Sequence, residues 1–255
     1  MLWRTSDVLG RSVRASDGDV GSVADLLFDD ETWTIRWVVV DTGGWLPGRK
    51  VLVATSAFEQ PLAAERNLAV DVTRQRIEEG PSIDAAAPVS RQMERDVTSF
   101  FGWWPYWEGA YPPSAIGVPF TPAAGMAPAP LRDGPRQREA DRPQGDPHLR
   151  STSEVVGYYI HASDGDIGHV EDFVGDDDGW AIRYMMVDTR NWWPGRKVIV
   201  SPRWITSVSW GERMVYVDLT RDQIKASPEY DHGVGIERGY EDRLFGHYGR
   251  QGYWT

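Results

Sequence analysis

Carboxylates are the side chains most often grouped in this sequence. Asp17-Gly18-Asp19 and Asp164-Gly165-Asp166 set two acids around a glycine, and Asp29-Asp30-Glu31 and Asp176-Asp177-Asp178 are denser still. Such groups can hold a hard cation, but a calcium loop of the helix-loop-helix type needs further oxygen ligands and a distal glutamate at set spacing. Neither pair of clusters offers that spacing, so tight-turn chemistry is the better reading. The five histidines, His148, His161, His169, His232 and His247, contain no pair four residues apart and support neither a zinc site nor a general base. There is no cysteine. That removes thiolate nucleophiles, disulfides and sulfur-ligated metals together. No Gly-x-Ser-x-Gly elbow and no phosphate-cradling loop ending in Lys-Ser or Lys-Thr occurs. The sequence therefore predicts no catalytic residue, no metal and no cofactor.

The acidic turns matter for another reason: they repeat. Ala15-Ser-Asp-Gly-Asp-Val-Gly21 returns 147 positions later as Ala162-Ser-Asp-Gly-Asp-Ile-Gly168. The same register matches Trp33 with Trp180, Asp41-Thr42 with Asp188-Thr189, and Pro47-Gly-Arg-Lys50 with Pro194-Gly-Arg-Lys197. It also matches Asp71 with Asp218, Pro81 with Pro228, Glu94 with Glu241 and Tyr106-Trp107 with Tyr253-Trp254. Roughly 40 of about 100 aligned positions are identical without a gap. This is one small domain made twice. The expected division is residues 1–108 and 151–255 as two copies, with 109–150 as a Pro-, Ala- and Gly-rich linker lacking any period.

Within each copy, short apolar runs alternate with turn signals. Ser12–Ala15, Val20–Phe28, Trp33–Thr42, Arg49–Ala54 and Leu68–Val72 read as strands, with Gly21 marking a bulge or sharp bend. Trp33, Ile35, Trp37 and Val39 are expected on one face and Thr34, Arg36, Val38 and Val40 on the other. Thr73 caps one or two helical turns that Gly80 closes, and Val89–Phe101 is a longer helix. The fold class is mainly β: two small antiparallel barrels, each with a short trailing helix.

The net charge of −11 divides as −6 for residues 1–108, +1 for 109–150 and −6 for 151–255. Both copies repel a phosphate backbone, which argues against nucleic acid as a partner. No apolar run approaches the ~20 residues that span a bilayer, and Met1-Leu-Trp-Arg4 does not open a signal peptide. Thirteen tryptophans are many for 255 residues, and tryptophan is enriched at interfaces. Trp45 with Arg49 and Lys50, and Trp192 and Trp193 with Arg196 and Lys197, stand at Pro-Gly hairpin tips. Trp103, Trp104, Tyr106, Trp107, Tyr253 and Trp254 form two aromatic tails. All are candidate interaction residues, and the bland alternative is that they pack on their own domain.

The Asp-Gly-x-x-Gly turn, the Val-Val-Val-Asp-Thr strand end and the Pro-Gly-Arg-Lys-Val hairpin, in that order twice over, resemble the PRC-barrel family. That family takes its name from the cytoplasmic domain of the photosynthetic reaction centre H subunit. It also includes a domain of a ribosome maturation factor and free-standing bacterial proteins. The resemblance implies a non-enzymatic scaffold or assembly subunit whose partners are proteins of a larger, membrane-bound complex. It implies a cytoplasmic protein, peripheral on the inner or photosynthetic membrane. The sharpest form is an H-subunit-like component of a reaction centre. Alternatives are a stand-alone regulatory or stress protein, or a ribosome-binding factor. Unlike a typical H subunit, the chain has no N-terminal membrane helix.

Overall fold

A computed structural model describes residues 1–58, 67–83, 89–108, 148–189, 197–230 and 235–255. The segment 109–147, expected as linker, and Trp192, Trp193, Arg196 and His232 lie outside the described residues.

The first half opens with a three-residue strand β1 (Leu2–Arg4) and a single helical turn α1 (Thr5–Val8). Strands β2 (Ser12–Ala15), β3 (Gly18–Asp29), β4 (Thr34–Asp41), β5 (Lys50–Ala54) and β6 (Asn67–Ala69) follow. Helices α2 (Arg74–Glu79) and α3 (Arg91–Phe101) close it, capped by the side chains of Thr73 and Ser90. The second half repeats the plan as β7 (Leu149–Ser151), α4 (Thr152–Val155), β8 (Tyr159–Ala162), β9 (Gly165–Asp176), β10 (Ile182–Asp188) and β11 (Lys197–Val200). The hairpin β12 (Ile205–Ser209) and β13 (Met214–Val217), then α5 (Arg221–Lys225) and α6 (Arg238–His247), complete it. The sheets run β5-β4-β3-β2-β6 and β11-β10-β9-β8-β13-β12. The gapless register thus becomes equal strand order, antiparallel except where β6 and β13 join β2 and β8 in parallel.

The bulge read from Gly21 is present. Val20 is the extra residue between β2 and β3, and a Cβ on Gly21 would lie 1.9 Å from the Asp41 carbonyl oxygen. Backbone approach that close leaves room only for hydrogen. Gly168 repeats it against Asp188 at 2.0 Å.

One expectation needs correction. Trp33 is not a strand residue. Its φ is 53°, and that of Trp180 is 55°, so each sits in the left-handed region at the end of an acidic turn. A second bulge then interrupts β4 at Arg36, because Leu27 pairs with Trp37 but Phe28 with Ile35. The extra residue reverses the alternation. Ile35 therefore joins Val38 and Val40 in the sheet interior, while Trp37 and Val39 turn outward to meet α3. Plain period-two counting cannot see this.

The two halves are not separate beads. Strand β1 leaves its own half and pairs with β9, Trp3 opposite Gly175; β7 pairs with β3, Arg150 opposite Phe28. Between these exchanges, Ile35 N donates to Trp180 O and Ile182 N to Trp33 O, both at 2.8 Å. The left-handed tryptophans turn their carbonyls across the pseudo-dyad. Carboxylates lock the exchange from both sides. Asp172 accepts from the hydroxyls of Thr5 and Ser6 at 2.5 Å and from Ser6 N at 3.2 Å. Asp25 accepts from Ser151, Thr152 and Ser153. Helix α1 has no side-chain cap of its own at Arg4, so the other half supplies it.

Asp172 is 7 % exposed. An Asp172→Ala chain would leave the buried Thr5 hydroxyl and an orphan helix N–H unpaired, and a lost charge-assisted bond costs about 1.5–3 kcal/mol. Urea unfolding should show a loss on the order of 2–4 kcal/mol. A loss under about 0.5 kcal/mol, the scale of an ordinary surface substitution, would mean that the cross-half cap contributes little.

Candidate functional site

The most concentrated chemistry in the molecule is a buried glutamate on each trailing helix. Glu94 is 0 % and Glu241 2 % exposed. The Arg36 bulge turns Trp37 toward α3, where its indole Nε1–H donates to Glu94 Oε1 at 2.7 Å. The Tyr106 hydroxyl donates to the same oxygen at 2.9 Å, and the Arg91 guanidinium bonds Oε2 at 2.9 Å. His148 Nε2 lies 2.8 Å from Oε2 and 3.2 Å from the Tyr106 hydroxyl. In the second half the Tyr184 and Tyr253 hydroxyls donate to Glu241 Oε1 at 2.6 and 2.8 Å, and Arg238 pairs with Oε2 at 2.9 Å.

Two arginines in each half complete a clamp on the tail. Arg36 lies over the Tyr106 ring at 4.3 Å and Arg91 over Trp107 at 4.5 Å. Arg183 lies over Tyr253 at 4.0 Å and Arg238 over Trp254 at 4.1 Å. Each Tyr-Trp dipeptide is thus fixed by a carboxylate below and guanidinium faces above. Glu94 faces four polar partners and Glu241 three, and both carboxylates are buried, so each fixes its aromatic tail in place. Among the described residues, no group of three His, Cys, Asp or Glu is placed to hold a metal.

Several of the other described candidates make contacts within their own halves, while Trp192, Trp193 and Arg196 lie outside the described residues. Arg74 of α2 covers the Trp45 ring at 4.3 Å. The Arg49 guanidinium donates to the carbonyls of Glu78 and Gly80, tying the hairpin tip to the end of α2. Lys50 stands opposite Asp41 in the backbone register of β4 and β5, and Lys197 forms an ion pair with Glu171. Trp103 stacks on Phe101 with centroids 4.3 Å apart and planes at 11°, 6.3 Å from Trp37, while Trp104 is half-buried beside it. Trp254 meets Phe245 edge-on at 5.1 Å.

The register had already paired Glu94 with Glu241, and it pairs Arg36 with Arg183 and Arg91 with Arg238 just as well. That signal could have revealed the clamp. His148 had none, because the residue in register with it is Met1. The structure brings it to Glu94 only because β7 enters the first sheet.

With this geometry in view, comparison with known families is informative. Residues 4–77 match the model of the PRC-barrel domain. That stretch of the chain is similar to a PRC-barrel domain. The match stops short of the second half, whose likeness to the first rests on the sequence register and the equal strand order. PRC-barrel domains are generally non-catalytic interaction modules. A search of curated proteins returns no match. Among the described residues, no helix is long and apolar enough to cross a membrane.

Burial, and then the hydrogen bond to Glu241, push the Tyr253 hydroxyl up to about 12. Burial, with Glu94 or Glu241 beside it, raises Tyr106 and Tyr184 as well. The folded state holds these phenols neutral, so their contribution is complete below the unfolded tyrosine value of about 10 and declines above it, that of Tyr253 being lost as pH climbs through about 12. The melting temperature should fall between those two values, with phenolate absorbance from these three tyrosines appearing only as the fold is lost. Their ionisation near pH ~10 in a fully folded chain would contradict the clamp.

Proposed function

We propose that the chain is a non-enzymatic scaffold, a double PRC-type body that docks onto a larger protein assembly. One observation carries this reading. The chain leaves the described structure after Glu108 and re-enters at His148, yet the two ends meet, with the Tyr106 hydroxyl 3.2 Å from His148 Nε2. Neighbouring points need only a handful of connecting residues. The sequence of 109–147 is longer than joining these two points requires, and the proposal assigns its Pro-rich stretch to a partner. The aromatic tail that precedes it is held on Glu94 through Tyr106, and a fixed attachment point lowers the ordering cost of docking there.

In its sharper form the proposal is an H-subunit-like component of a photosynthetic reaction centre complex, held at the cytoplasmic face by another chain. The match of residues 4–77 to the PRC-barrel model, the thirteen tryptophans and the acidic charge support it. Affinity purification of the tagged full chain from its own cells is the test. Pigment-bearing membrane protein should co-elute, and should be lost when residues 109–147 are replaced by a short Gly-Ser connection. Elution of the chain alone would overturn the scaffold reading, and elution with ribosomal subunits would replace the sharper one.

A further inference from the structure

The halves match in sequence and strand order but not in how their seams are filled. In the first half, Phe58 lies 5.6 Å from Trp180, and Trp180 lies 6.2 Å from Trp3, filling the corner where the halves meet. In the second half the positions in register with Phe58 and Trp3 are Ile205 and Arg150. Trp33, which matches Trp180, turns away onto Phe28, at 5.0 Å and 24°. Arg150 lies over Trp210 at 4.1 Å and pairs with Asp30. A groove of about 690 Å³ opens there, with Trp33, Ile182, Arg203, Ile205, Val208 and Trp210 among its walls. That volume is in the range of sites that enclose a ligand.

One wall of the groove is a strand edge. Among the described residues, strand β12 is the last of its sheet, paired on one side only, with β13. Ser207 and Val208 are consecutive, so their side chains leave opposite faces of the strand, yet both line the groove. With β13 on its other side, β12 presents its backbone edge among the described residues, and such an edge can template a further strand. Further charged side chains line the groove with Arg203: Asp30, Glu31 and Arg183, and Arg150 lies beside them. Asp30 is held by Arg150, Arg183 is held by Asp176, and Glu31 is itself engaged. Arg203 is exposed, and among the described residues no carboxylate pairs with it.

We propose that this seam binds an extended segment of a partner protein as an added strand along β12, with an apolar side chain over Trp33 and Ile182 and a carboxylate on Arg203. Main-chain hydrogen bonds supply affinity, and the apolar corner and the arginine supply selectivity. The proposal deepens the scaffold reading and rests on it only in taking the partner to be a protein.

The probe is an acetylated, amidated five-residue peptide alternating threonine and valine and ending in glutamate, titrated into the isotopically labelled full chain. Saturable shifts and slowed hydrogen exchange are expected at the amides of Thr206–Ser209. Ile205→Phe installs the side chain that the first half already carries at this position, and should weaken binding about tenfold or more by filling the corner. Arg203→Glu, an exposed change that leaves packing intact, and a peptide ending in lysine should each weaken it comparably. Three results would overturn the proposal: no saturable change at β12 up to about 5 mM peptide; binding indifferent to both substitutions; or β12 amides already protected in the free chain, which would mean that the chain fills its own seam. The titration needs no native complex. Its failure leaves the co-purification result standing, and the reverse also holds.

Discussion

Strand β1 must lie on β9 and strand β7 on β3. Everything else in the molecule follows from that reciprocal exchange. Ordering three residues costs about 1–2 kcal/mol each in backbone entropy, while a net hydrogen bond returns only about 1 kcal/mol. The ladder alone is therefore marginal, and side chains decide the outcome. Trp3, 5 % exposed, buries a large apolar ring at this junction. A Cβ on Gly175 would lie 2.6 Å from its ring, so the indole occupies space that only glycine leaves free. The matching position in the first half is Phe28, opposite Arg150. Trp3 against a phenylalanine would collide. The two junctions are complementary rather than identical, which favours pairing of unlike halves within one chain over pairing of like halves between chains.

The exchange also explains the position of the first clamp. Because β7 runs along β3, His148 arrives beside Glu94, and the ends of the long connection are held at a buried carboxylate rather than at opposite poles of the molecule. In the second half Met1 takes the register position of His148, with its carbonyl accepting from Asp177 N as that of His148 accepts from Asp30 N. The backbone symmetry survives there while the side-chain chemistry does not. The same pattern recurs at the seam, where Phe58 and Trp3 give way to Ile205 and Arg150. Duplication kept the frame and let each corner diverge.

Much of this was legible in the sequence. The gapless register implied equal strand order, the glycine of the Asp-Gly-Asp turn marked its bulge, and Thr73 announced the cap of α2. What stayed hidden has identifiable causes. The bulge at Arg36 carries no glycine, so period-two counting put Trp37 on the same face as Ile35. The exchanged strands are three residues long, too short for any hydrophobic period, and nothing local in Leu2–Arg4 says which sheet receives it. The glutamate clamps were present as identities between the copies. Identity does not say whether an aromatic tail meets a partner or its own helix, and the buried glutamates are what place both tails on their own halves.

If strand exchange makes the halves one cooperative body, native-state hydrogen exchange combined with denaturant unfolding will show it directly. The account predicts a single unfolding transition for the full chain. It also predicts that the ladder amides of Leu2–Arg4 and Leu149–Ser151 open with the same free energy as the strands that receive them, β9 and β3. Two separate transitions, or rapid exchange in those short strands while β3 and β9 stay protected, would contradict it.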